Sequence, residues 1–185
     1  WAAENKSRNS EKPDHEGLWR YWQLDRPEHK EQLKVFSNLF EAFKLIKLDW
    51  KSKYAGFERI LLDSKLVDHW LIVGISQDAL RLIASNEFSK TNRGVVRGHI
   101  KDRKDRARYL FTHDFKSSED AFKYFMKYDK VILITKNENS IKKGPNDWSK
   151  QYPIPPEIFP YRCGYATKYT DEALRYLGRL YKRAN

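Results

Sequence analysis

The chain holds one cysteine, Cys163, so no internal disulfide and no cysteine-rich zinc site can form. No apolar run approaches the roughly 18 residues that span a bilayer, so a membrane-spanning role is not expected. The opening, Trp1-Ala-Ala-Glu-Asn-Lys, has neither a starting Met nor the apolar stretch of a secretory signal. This suggests a processed start and, with the lone thiol, a reducing, cytoplasmic setting. Gly-x-Gly-x-x-Gly, the Walker lysine motif and Gly-x-Ser-x-Gly are all missing, which argues against nucleotide hydrolysis and against a serine hydrolase. There is no internal repeat.

Aromatics and positive charge are abundant. Fifteen per cent of the 185 residues are aromatic, six of them Trp, which is too much ring mass for a disordered chain despite 33% charged residues. Lys and Arg exceed Asp and Glu by 36 to 25, a formal charge of +11. Such an excess points to a polyanionic partner. Nucleic acid comes first, DNA ahead of RNA, and an anionic membrane surface second.

Residues 1–17 read as a mobile lead-in and 18–185 as a single domain. The cluster Leu18-Trp19-Arg20-Tyr21-Trp22 reads as a core anchor. Phe36, Leu39, Phe40, Phe43 and Ile46 recur at helical spacing and predict a helix over 31–47. A strand is expected over His69–Ile75, followed by a helix capped by Ser76. Further strands are expected at Gly94–Ile100 and Lys130–Thr135, with a helix opened by Ser117 between them. Residues 152–162, with four prolines, read as an extended connector without helix. Thr170 caps a last helix, where Leu174, Leu177 and Tyr181 make an apolar stripe and Arg175, Arg179 and Arg183 a basic one. The fold class is therefore α+β, a small mixed domain with short strands packed by several helices.

The run Arg93–Arg108 carries seven basic residues against Asp102 and Asp105, a net +5 around one histidine. Cations that hold phosphates, a histidine that deprotonates water and a carboxylate that holds a divalent metal are the parts a phosphodiesterase needs. The same run also fits a charged helix in which Asp102 and Arg106 form an i,i+4 pair. Downstream, Asp129-Lys130-Val131, Asn139, Lys143-Gly144 and Trp148 form a strand, a polar turn and an aromatic.

With His99-Ile100 upstream, this pattern over about 95–148 resembles the HNH (ββα-metal) nucleases, most closely the branch found in RNA-guided nucleases. The resemblance implies a ββα-metal motif, His99 as general base and Asn139 as the motif asparagine that helps place Mg²⁺ or Mn²⁺. The family usually carries an acid just before the histidine, where this chain has Gly98. Asp102 or Asp105 is then the substitute for it, and Asp102 is taken as the candidate metal ligand beside Asn139.

Candidate phosphate contacts, taken from charge and position, are Arg97, Lys101, Arg103, Lys104, Arg106, Arg108, Lys142, Lys143, Arg175 and Arg179. The leading expectation is a metal-dependent endonuclease. The alternatives are a non-catalytic DNA- or RNA-binding module using the Arg93–Arg108 run, and a subunit whose basic face meets an acidic protein. The segment Phe159–Tyr169 interleaves aromatics with Arg162 and Lys168 and reads mainly as packing. Cys163 reads as a small filler.

Overall fold

The computed structural model describes residues 27–64, 70–90, 93–140, 145–159 and 169–185. The lead-in, the 18–22 cluster, His69, Lys142, Lys143 and Cys163 lie outside them. In chain order the elements are α1 (Pro27–Leu45), α2 (Trp50–Asp63), β1 (Leu71–Ser76), α3 (Gln77–Ser85), β2 (Val95–His99), α4 (Arg103–Thr112), α5 (Ser118–Tyr128), β3 (Lys130–Thr135), α6 (Lys136–Ser140), β4 (Gln151–Pro153) and α7 (Asp171–Ala184). Short 3₁₀ turns occupy Pro145–Asp147 and Pro156–Ile158. The protein is thus α+β, with seven α-helices and one four-stranded mixed sheet among the described residues.

The described residues group into two compact units, and the chain passes between them at 71/72, 98/99 and 130/131. Each crossing falls at or beside a strand end, and the one at 98/99 lies at Gly98 within the basic run.

The helical unit contains α1, α2, α4 and α5. Its core is mostly aromatic. Phe36 is fully buried, with Phe57, Phe122 and Phe125 ring centroids at 5.2, 5.0 and 5.3 Å. Each such ring taken out of water contributes about 1.5–3 kcal/mol. The predicted 31–47 helix begins earlier, at Pro27, and stops at Leu45. Ile46, expected in the core stripe, lies 40% exposed in the turn that follows. That turn is required because Asp49 caps the next helix, accepting from the N–H of Lys51 at 2.9 Å and of Ser52 at 3.3 Å. Helix α2 is absent from the sequence expectations, yet Trp50, Tyr54, Phe57 and Leu61 follow that cap at helical spacing.

The sheet unit has strand order β2-β3-β1-β4. The N–H of Ile100 reaches the carbonyl of Lys130 at 3.2 Å and that of Lys136 reaches Gly94 at 2.9 Å, so β2 and β3 run antiparallel. β4 is antiparallel to β1, with Gly74 opposite Pro153 and Ser76 opposite Gln151. Pro153 is tolerated because β4 is an edge strand. The connector expected to be helix-free therefore holds a strand residue pair and a 3₁₀ turn. Val131–Ile134 are fully buried, the near-continuous apolar run of a strand covered on both faces. Ser76, Ser117 and Thr170 cap α3, α5 and α7, each accepting a backbone N–H at 3.1 Å as their sequence positions predict.

Candidate nucleic-acid interface

The basic run of 93–108 is divided by the fold into residues of different character. Asp102 caps α4, its Oδ1 accepting from Lys104 N–H at 2.7 Å and Asp105 N–H at 3.3 Å. Lys104 and Arg108 are exposed on that helix, one turn apart. The Arg108 guanidinium carbon sits 5.4 Å from the Trp50 ring centroid. Arg103 is 47% exposed but paired with Glu58. Lys101 rests its ammonium 4.3 Å from the Tyr128 centroid and 5.4 Å from that of Tyr124. Arg97 is half-buried on β2.

Arg106 must be removed from the candidate phosphate contacts, because its side chain is fully buried. It is also not the i,i+4 partner of Asp102. Its Nη1 lies 2.5 Å from Asp129 Oδ1 and 3.1 Å from the Tyr128 carbonyl, and its Nη2 lies 2.6 Å from the Tyr54 hydroxyl. Burial disfavours the guanidinium charge, but Asp129, Tyr54 and Glu58 together more than offset this and raise its pKa above the ordinary Arg value. Burial likewise raises the Tyr54 hydroxyl well above the usual tyrosine range.

His99 is the last residue of β2, half-buried, with its ring edge-on to Trp70 at 5.1 Å. Gly98 before it is fixed by packing: a Cβ there would lie 2.5 Å from Ile134 Cδ1 and 2.6 Å from Trp148 Cη2. A carboxylate side chain has no room at that position. Asn139 is exposed on α6, which follows β3 directly. No group of three His, Cys, Asp or Glu that could hold a metal ion occurs among the described residues, so His99 and Asp102 are not part of such a set. Replacing Asp102 by Ala should cost about 1 kcal/mol through loss of the α4 cap. The melting shift should be the same with and without Mg²⁺. A shift that appears only with Mg²⁺ would support Asp102 as a metal ligand.

Beside Asn139, Glu138 shows what the polar turn does. This carboxylate is 5% exposed and gathers five donors. Oε2 accepts from Ser76 Oγ at 2.7 Å, Thr135 N–H at 2.8 Å and Thr135 Oγ1 at 3.0 Å. Oε1 accepts from Ser149 N–H at 3.0 Å and Ser149 Oγ at 2.7 Å. Burial pushes its pKa up, but the donors from Thr135, Ser149 and Ser76 outweigh burial and hold it below the ordinary Glu value. Sequence reading passed over Glu138 because its partners lie up to 62 residues away.

On α7, Arg175, Arg179 and Lys182 are exposed at i, i+4 and i+7 and form one row of cations. The ion pairs among the described residues leave these three out. The nearby acid Asp171 is held instead by Lys90 at 2.8 Å. Lys182 was not among the residues singled out from sequence, although its spacing from Arg175 and Arg179 signals it. No helix among the described residues is long and apolar enough to cross a membrane. Comparison with protein-family models, curated proteins and solved structures returns no match to this chain.

Proposed function

We propose that this protein binds nucleic acid through its phosphate backbone, DNA foremost, with the exposed row Arg175, Arg179 and Lys182 on α7 as a principal contact. That row carries the reading: three cations are aligned on one helix face, with the helix acids Asp171 and Glu172 confined to the first turn. Lys104 and Arg108 on α4 supply a further exposed pair. Each phosphate neutralised releases condensed counterions, so binding should weaken steeply with salt.

The test is fluorescence anisotropy with a short DNA duplex between about 50 and 200 mM salt. Replacing Arg175, Arg179 and Lys182 together by Gln should reduce the log–log salt slope by about 2–3. An unchanged slope, or wild-type affinity no greater than that of an unrelated lysine-rich protein, would overturn the proposal.

A second reading is phosphodiester hydrolysis with His99 as general base. It is favoured by the half-buried position of His99 at a strand end beside Trp70. Plasmid cleavage with Mg²⁺ or Mn²⁺, stopped by EDTA and lost in a normally melting His99→Ala protein, would establish it.

A further inference from the structure

Three features that each cost stability meet at one place in the sheet unit. The chain leaves α3 through Asn86, and then Glu87 and Phe88 both take left-handed backbone, with φ of 53° and 52°. Glycine is the usual residue at such a helix end, and a non-glycine residue there costs about 1–2 kcal/mol. The N–H of Phe88 bonds the Ile83 carbonyl at 3.0 Å and that of Glu87 bonds Ala84 at 2.9 Å, which holds the strained turn in place.

Opposite, Gly178 stands in the middle of α7, where it costs about 1 kcal/mol relative to Ala. Packing does not demand a glycine. A Cβ at 178 would meet only Phe88 Cζ, at an ordinary 4.0 Å. Beside Gly178 lies an open hollow of about 450 Å³. Phe88, Tyr181 and Leu174 form its walls, and the Phe88 and Tyr181 rings are 6.2 Å apart and steeply inclined. Arg175, Arg179 and Lys182 also line it.

An apolar aromatic floor with a cationic rim suits a ligand that is a flat ring joined to phosphate. We infer that this hollow takes an unpaired nucleobase of a single-stranded nucleic acid, stacked on the Phe88 ring with its edge toward Tyr181, with the adjoining phosphates on Arg175, Arg179 and Lys182. The inference rests on the nucleic-acid reading above and adds the state of the strand. In a duplex the bases are already stacked on each other, so only an unpaired base can enter. The open space beside Gly178 and the strained placement of Phe88 then have a function that packing alone does not supply.

The experiment compares full-length protein on four probes: a single-stranded oligonucleotide, an abasic strand of equal length, a duplex, and phosphatidylserine vesicles. The base-bearing strand should bind about tenfold tighter than the abasic strand, as one stacked base provides. Phe88→Ala should erase that gap and leave duplex and abasic affinities unchanged. Gly178→Leu, which fills the hollow while favouring helix, should erase it too in a protein that melts no lower than wild type. Equal wild-type affinity for the base-bearing and abasic strands, with salt-sensitive duplex binding intact, would overturn the base pocket alone. Vesicle binding that needs Phe88, with strand binding that does not, would reassign the hollow to a lipid surface. Failure of the duplex and both strands to bind would remove the nucleic-acid reading itself.

Discussion

Arg106→Met should destabilise the helical unit by about 3–5 kcal/mol, the largest effect expected of any single substitution outside the aromatic core. The reason is the partner left behind. Asp129 is fully buried, and the substitution takes away the guanidinium that it holds at 2.5 Å. The Tyr54 hydroxyl and the Tyr128 carbonyl would lose their donor as well. The melting temperature should fall by about 10 °C. Asp129→Asn in the same protein should recover much of the loss, because a neutral amide costs less to bury than a carboxylate and keeps an oxygen for the Trp70 N–H that Asp129 accepts at 3.1 Å. Urea midpoints followed by circular dichroism measure both. If Arg106→Met lies within about 1 kcal/mol of wild type, the cluster is not the buried ion pair described.

Glu138→Gln should cost about 2–3 kcal/mol at neutral pH, since an amide brings one acceptor and a donor to a place where five donors converge. The Ser149 N–H, or that of Thr135, would face an NH₂ group. The effect should depend on pH with a definite sign. The folded carboxyl titrates below its unfolded value, so its stabilisation is complete above the ordinary Glu pKa of about 4.3 and is lost as pH falls through the lower folded value. Wild type and Glu138→Gln should therefore differ most at neutral pH and converge in acid. A difference that stays constant from pH 7 to strong acid would disprove the role of the ionised carboxylate.

These two residues also show where the sequence was legible. Helices with a local cap and a local stripe were readable, as at Ser76, Ser117 and Thr170, because both signals lie within a few residues of each other. β3, apolar over Val131–Ile134, announced itself by its β-branched content. Arg106 was not readable. It stands among six other basic residues of the run, and only Asp129, 23 residues on, distinguishes it. Helix α4 has so thin an apolar face that the buried arginine is part of its packing surface. Of the candidate interface, Arg175 and Arg179 were visible as spacing on α7, and Lys182 was passed over in favour of Arg183. The hollow beside it was not, since a left-handed Phe88 and a tolerated gap at Gly178 leave no pattern in a linear chain.

The three crossings between the units bear on heredity. Neither unit is a contiguous stretch: the sheet unit draws residues from both sides of the 99–130 segment, and the helical unit from both sides of 72–98. A single recombination break cannot separate them, and no one fragment carries either unit whole without residues of the other. Whatever α7 and α4 each do, the gene must pass them on together.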